Sequence, residues 1–253
     1  MNKRLTEKVA IVTGSGRGIG RAIALKLGKE GAFIVVNYHK SAEEAKAVVD
    51  EIQQQGGEAV AIRADMSQVA EINQLFDKAI DYFGKLDILV SNAGIEHFGK
   101  LEEVTPEEFD RTFAVNTRGQ FFAMREAAKR ISDGGRIVCM SSVSTTHAVP
   151  NHAVYAGSKA ANEAFARHLA LDLGVRGITV NAVAPGATKT DMYDKYVNFY
   201  SQSDEPIDEQ MKQLSPLGRA GVPQDIANVI TFLVSDEGGW LTGQTIHATG
   251  GME

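Results

Sequence analysis

The sequence predicts a single α/β domain, a doubly wound parallel sheet of about seven strands with helices on both faces. Three observations predict it. Short apolar runs alternate with longer amphipathic ones along the 253 residues. The short runs are nearly continuous in Val, Ile, Leu and Ala, as strands buried on both faces require. The amphipathic runs between them are long enough to carry the chain back across a sheet, which parallel pairing demands.

The elements follow in order. A first strand is expected over residues 9–13, and a glycine-rich turn leads from it into a helix over 19–29. Strands over 33–37, 59–63 and 88–91 come next, with helices over 42–55 and 69–83 between them. A helix around 116–131 precedes a strand over 136–140, and a helix over 153–173 precedes a strand over 179–182. The last strand is expected over 245–248. No Pro-, Ser- or Gly-rich linker, low-complexity tract or internal repeat divides the chain, so residues 1–253 read as one domain.

One segment breaks the rhythm. Residues 189–214 carry Met192, Tyr193, Tyr196, Phe199 and Tyr200, followed by the polar run Ser201-Gln-Ser-Asp-Glu-Pro206. It is long for a connection, and long connections in compact domains often serve as lids. We expect a lid closing on an apolar, ring-containing substrate.

Composition narrows the partners. Hydrophobic residues at 43% and charged residues at 23% suit a folded globular chain with a normal core. The net charge of −6 and the lack of a basic stripe argue against nucleic acid. Cys139 is the sole cysteine, which excludes an intramolecular disulfide and a multi-Cys zinc site. It sits in an apolar run and is expected to be a buried strand residue. No metal site is expected. The N-terminus has charge but no apolar core, and no run approaches a membrane span. A soluble, cytoplasmic protein without membrane contact is the expectation.

The turn after the first strand reads Thr13-Gly14-Ser15-Gly16-Arg17-Gly18-Ile19-Gly20. Glycines there let backbone approach a pyrophosphate, and free amides at a helix start hold its charge. The strand before and the helix after supply the context that a glycine cluster alone lacks. The expected architecture is therefore Rossmann-like, with Gly14, Gly18, Ile19 and Gly20 under the phosphates. At the end of the second strand an NAD site usually places Asp or Glu against the ribose 2′-hydroxyl. Here the residues are Asn37-Tyr38-His39-Lys40-Ser41. Arg17 with donors from Asn37, His39 and Ser41 favours a 2′-phosphate, hence NADP(H) over NAD(H).

Tyr155-Ala-Gly-Ser-Lys159 places a phenol and an ammonium four residues apart, on one helix face. Interconverting a ketone and an alcohol needs a group that gives or takes the proton on oxygen. A nearby Lys⁺ is expected to lower the phenol pKa. The spacing alone fits a surface helix equally well. It gains weight from Ser141-Ser142, which ends the fifth expected strand 13 residues before Tyr155. Ligands of open α/β sheets bind at such strand ends. Ser142 is favoured to bond the substrate carbonyl, with Ser141 capping the strand.

Taken together, these motifs resemble the short-chain dehydrogenase/reductase family, over essentially the whole chain. The motifs are Thr13-Gly-x-x-x-Gly18-Ile-Gly20, Asp65-Met66, Ser91-Asn92-Ala93-Gly94, Asn116, Ser142, Tyr155-x-x-x-Lys159 and Pro185-Gly186. The resemblance implies catalysis by Asn116, Ser142, Tyr155 and Lys159. It implies that Asp65 and the Met66 backbone hold adenine, and that Asn92 and Gly94 line the ribose and pyrophosphate cleft. Asn116 would kink its helix and hold a water linking Lys159 to solvent. Tyr155 and Lys159 would contact the nicotinamide ribose, and Thr188 and Thr190, after Pro185-Gly186, would clamp the carboxamide. A homotetramer is also implied.

Stretches over 107–122 and at Ser215-Pro-Leu look similar to fungal reductases of hydroxynaphthalenes and related aromatic polyketides. The segment from Ser142 to Tyr155 departs from them in sequence and length. The expected substrate contacts are Ser144, His147, Tyr193, Tyr196 and Phe199. A reductase of 3-oxoacyl thioesters and a catalytically silent dinucleotide sensor are the alternatives. His97, His147 and His152 lie near the expected site mouth without metal-ligand spacing. They read as loop histidines, or as substrate contacts in the case of His97 or His147. Trp240 reads as a packing or interface residue, and Glu107-Glu108 as a solvated helix start.

Overall fold

The seven apolar runs become seven strands in the computed structural model, which describes residues 3–193, 209 and 214–252. They are β1 (Val9–Val12), β2 (Phe33–Tyr38), β3 (Ala59–Arg63), β4 (Ile88–Ser91), β5 (Arg136–Met140), β6 (Thr179–Pro185) and β7 (Thr245–Ala248). They form one sheet in the order β3-β2-β1-β4-β5-β6-β7. Every pairing is parallel.

The continuous apolar composition has a simple cause. Successive side chains point to opposite faces, and both faces are covered. Ala10, Val12, Ile34, Val36 and Val90 enter one core with α1 (Gly18–Lys29), α2 (Ala42–Gln54) and α7 (Pro223–Val234). Ile11, Val35, Leu89, Ile137 and Cys139 enter the other with α3 (Val69–Phe83), α5 (Gln120–Arg130) and α6 (Ala153–Leu173). Cys139 is fully buried, as expected, and burial pushes its thiol up to about 12.

Two elements extend the sequence reading. Strand β6 continues to Pro185 because β7 lies beside it, with Pro185 opposite Ala248. Helix α7 buries Ile226, Ala227, Ile230, Leu233 and Val234 on one face, against α1. Its start carries Pro223 at a first-turn position, where the missing N–H costs nothing.

Helix α4 (Pro106–Phe113) opens with Thr105 and Glu108 in a capping box, so Glu107 and Glu108 do start a helix. A π-helical turn, Ala114–Gly119, joins it to α5. Asn116 stands in that turn, where the regular α-helical hydrogen-bond pattern is interrupted.

The strand order reverses between β1 and β4, which opens a crevice at their C-terminal ends. The glycine turn, the Asn92 loop and the β5 terminus all face that end. Tyr196, Phe199 and most of the expected 189–214 lid lie outside the described residues. Among the described residues, no helix is long and apolar enough to cross a membrane. No cluster of three potential metal ligands occurs among them either.

Candidate active site

The glycine turn is shaped for close approach. Gly18 has φ +55, and a Cβ on Gly20 would collide with the Gly14 carbonyl and lie 2.6 Å from Asn92 Nδ2. Asn92 fastens the crevice from the other side. Its Nδ2 donates to Thr13 O at 2.9 Å and Gly14 O at 3.2 Å, and its N–H donates to Thr13 Oγ1 at 2.9 Å. Ile19 stands in the first turn of α1, whose start has no acidic side chain. A turn of this kind at a helix start, without acidic side chains, favours an anion.

The structure corrects the reading of Asn37. Its side chain was expected to reach a 2′-phosphate, but it is buried at 1% exposure and turned inward. Its Oδ1 accepts from Gly14 N at 3.1 Å, and its Nδ2 donates to Ile62 O at 3.3 Å and Ala64 O at 3.2 Å. Asn37 therefore ties the glycine turn to β3 and has no free donor for a ligand.

The remaining groups at that corner stay near the surface. Arg17 and His39 are exposed, and Ser41 stands at the N-cap of α2 without a side-chain cap bond. A Cβ on Gly16 would touch Ser41 O at 3.6 Å, so the glycine turn abuts this corner. Arg17 Nη1 is 3.4 Å from Asp191 Oδ2. Asp65 accepts from Ser67 N at 2.9 Å, and His39 Nε2 lies 3.7 Å from its other oxygen. Burial pushes the Asp65 carboxyl up, but bonds from Ser67 and the His39 charge win, so it lies below its ordinary value. Met66 is buried beside it.

The groups expected to be catalytic converge where β5 ends. The Ser142 hydroxyl lies close enough to the Tyr155 phenol to lower it. Ser142 Oγ also accepts from Ser144 N at 3.2 Å and from the Ser144 hydroxyl at 2.9 Å. Ser144, expected as a substrate contact, is thus a buried partner of Ser142. Ser141 turns away from the crevice and donates to Glu163 Oε1 at 2.5 Å, so Ser142 is the serine that faces Tyr155.

Lys159 is buried, and its Nζ donates to Met140 O at 3.2 Å. Burial lowers it to about 8. Nζ is 5.7 Å from the Tyr155 ring centre. The expected lowering of the phenol by this lysine does not occur in the free protein. Burial raises Tyr155 above its ordinary value, the charge of Glu96 adds to the rise, and the nearby Ser142 hydroxyl opposes them. A Cβ on Gly94 would sit 3.1 Å from Lys159 Nζ and 3.3 Å from Asn116 Oδ1, so the Asn92 loop faces both side chains.

Asn116 is fully buried. Its amide holds the backbone of Ile95 at both ends and also meets Ser158 Oγ at 3.1 Å. Its carbonyl accepts from Asn162 Nδ2 at 3.0 Å. Beyond Pro185 and Gly186, Thr188 Oγ1 donates to Gly186 O at 2.9 Å. Thr190 donates to Thr188 O at 3.3 Å and its methyl lies against Gly18. Tyr193 is buried with Val143, Ala220 and Met252. His147 follows the 3-10 turn Val143–Thr145, its N–H bonded to Val143 O at 2.8 Å.

Sequence reasoning missed Glu96 and Asn162 and undervalued His152. Asn162 is three residues beyond Lys159, on the same face of α6, and buried. His152 is three residues before Tyr155, a spacing that brings the two rings together at a helix start. No pattern pointed to Glu96.

Fold, cradle and the Ser142–Tyr155–Lys159 grouping define a dinucleotide-dependent oxidoreductase site at a sheet switch point. A family profile described as enoyl-(acyl carrier protein) reductase matches residues 14–253. The chain is 52% identical to versicolorin reductase of Emericella nidulans, over 99% of this chain and 97% of that one. It is 51% identical to a probable tetrahydroxynaphthalene reductase of Zymoseptoria tritici, over 98% and 95%. Among solved structures, the angucycline C-6 ketoreductase LanV with bound NADP superposes with a TM-score of 0.91 at 41% identity, covering 98% of this chain and 96% of that one. The chain belongs to the short-chain dehydrogenase/reductase family and is an oxidoreductase using a nicotinamide dinucleotide.

Proposed function

We propose that the protein is an NADP(H)-dependent reductase that converts a ring-containing, polyketide-like ketone into a secondary alcohol. The observation that carries this reading is the convergence of Ser142, Tyr155 and Lys159 at the β5 terminus, beside the β1–β4 crevice. The relatives named for versicolorin and tetrahydroxynaphthalene, and the ketoreductase named for an angucycline, support the substrate class.

The residues fit the cofactor. The glycine cradle would take the pyrophosphate, and Arg17, His39, Lys40 and Ser41 offer positive or donor groups for a 2′-phosphate with no carboxylate among them. Asp65 and Met66 would hold the adenine, Lys159 and Tyr155 the nicotinamide ribose, and Thr188 and Thr190 the carboxamide. NADPH, when bound, supplies the hydride.

The chain's own residues do the rest. Ser142 donates a hydrogen bond to the ketone oxygen and fixes it beside Tyr155. Tyr155 gives its phenolic proton to that oxygen as negative charge develops there. The phenol is protonated at neutral pH, so its proton is available to the developing alkoxide. The buried Lys159 ammonium stabilises the phenolate left behind. Tyr193, at the mouth of the 189–214 segment, supplies an apolar wall.

Assembly into a homotetramer fits the exposed apolar residues. Phe109, Phe121 and Leu171 stand out from α4, α5 and α6, and Trp240 is 99% exposed, so it does not pack within the chain. Covering such residues is what a subunit contact does.

The test is NADPH consumption with three substrates, a bicyclic aromatic ketone, a short acyclic ketone and a 3-oxoacyl thioester. This reading expects the bicyclic ketone to give the highest kcat/KM. Preference for the thioester would replace it with the acyl reading, and inactivity on all three would remove it.

A further inference from the structure

His152 lies flat on Tyr155, with ring centres 4.5 Å apart and planes 11° from parallel. Phe98 stacks on its other face at 4.5 Å and 8°. The imidazole is thus the middle layer of a three-ring stack that ends on the catalytic phenol. It is 6% exposed, and its Nε2–H donates to Glu96 Oε1 at 2.6 Å. Its Nδ1 is buried without a hydrogen-bond partner among the described residues. One strong bond and two stacked faces therefore fix its plane.

Glu96 comes from the loop after β4, two residues beyond Gly94, and its side chain is 13% exposed. The same Oε1 also accepts from His97 N at 3.2 Å. No Arg or Lys pairs with Glu96 among the described residues. A carboxylate so placed has few groups to spend its field on. Its charge raises both the Tyr155 phenol and the Lys159 ammonium.

We propose that Glu96 and His152 form a positioning pair for Tyr155, in which His152 clamps the phenol ring and the Glu96 carboxylate keeps the phenolic proton in place. The pair sets the pH range over which the site can donate a proton, and hence reduce. This rests on the reading of Tyr155 as the proton donor.

The other groups facing the pair do not duplicate it. Lys159 is the cation on the far side of the phenol. His97 approaches Glu108 at 3.9 Å, on α4 and at the surface. Cys139 lies in the core behind Lys159, and Glu163 is bonded to Ser141 and Thr145. Among the described residues, Glu96 is the carboxylate whose charge acts on the Tyr155 phenol.

The experiment compares the pH dependence of kcat/KM for ketone reduction and alcohol oxidation in wild type, E96Q, H152A and H152F. E96Q removes the charge and keeps the shape. Its midpoints are expected to fall by roughly one pH unit in both directions, the scale of one lost neighbouring charge. H152A is expected to lose about tenfold in kcat at unchanged NADPH affinity, and H152F, which keeps the flat ring, to recover most of it. Unmoved midpoints in a folded E96Q, or H152F as poor as H152A, would overturn the proposal. If E96Q does not fold, the tyrosinate absorbance difference between wild type and Y155F reports Tyr155 directly. The same difference taken in H152A, which releases Glu96 from its place beside the phenol, is expected to give a lower midpoint, and an unmoved midpoint contradicts the pair. Turnover by Y155F would sink the proton-donor reading itself, whatever E96Q does.

Discussion

Asn116 grips Ile95 by both ends of its amide, with Oδ1 accepting from Ile95 N at 2.8 Å and Nδ2 donating to Ile95 O at 2.9 Å. The π-helical turn thereby fixes the loop that carries Gly94 and Glu96 toward the site. Asn116→Ala would leave two backbone groups of that loop without partners. A stability loss of about 2–6 kcal/mol in denaturant unfolding is expected, from about 1–3 kcal/mol for each of the two unsatisfied groups. Activity should fall with it, because Gly94 and Glu96 lose their anchor. Wild-type stability in this variant would show that the amide grip is incidental.

Tyr155→Phe keeps the ring and its stack on His152 but removes the proton. Turnover should drop by about 10²–10⁴-fold, the usual worth of a positioned acid. NADPH affinity, by fluorescence titration, should stay close to wild type. A variant that turns over normally would take Tyr155 out of the mechanism.

Lys159 titrates at about 8 because it is buried. Since the folded value lies below the ordinary one, the unfolded chain binds the extra proton between these two values. This group therefore adds to stability as pH rises from about 8 and costs stability below it. Cofactor binding runs the other way, because a cation suits the phosphates and ribose. NADPH dissociation constants should rise with pH through about 8 in wild type. Lys159→Ala should bind more weakly at every pH and lose that rise. A wild-type profile flat across this range would contradict a charged Lys159 in cofactor binding.

NADPH should bind at least about tenfold tighter than NADH, a difference of about 1.4 kcal/mol. Asn37 is spent on the backbone, so Arg17 carries more of this preference than the sequence reading assigned to it. Arg17→Ala should erase most of the preference, mainly by weakening NADPH. Equal affinities in wild type would refute the 2′-phosphate corner.

Trp240 is bare on the surface of one chain, as a subunit contact would leave it. Light scattering at micromolar concentration should give a tetramer, and Trp240→Glu should shift it to smaller species. A wild-type monomer would remove the assembly reading.

The sheet was legible because both of its faces are buried. Strands such as Val9–Val12 and Ile88–Ser91 carry no polar alternation to blur them. The nearness of Ser142, Tyr155 and Lys159 was legible because a strand end and a four-residue helix spacing set it. Asn37 misled because a polar residue at a strand end points to ligand or to backbone with the same sequence signal. Its neighbours decide, and they come from β3 and the glycine turn. Glu96 and His152 are 56 positions apart, and only the fold brings them to 2.6 Å. Ser144 was assigned to substrate when its hydroxyl is turned to Ser142.

The central claim is that hydride goes to a carbonyl carbon while Tyr155 protonates the oxygen. The direct measurement is the product formed from a bicyclic aromatic ketone and NADPH carrying deuterium in the transferable position. The account predicts one deuterium on the carbinol carbon, formed by wild type and not by Tyr155→Phe. Deuterium on a former carbon–carbon double bond, with the ketone intact, would contradict it.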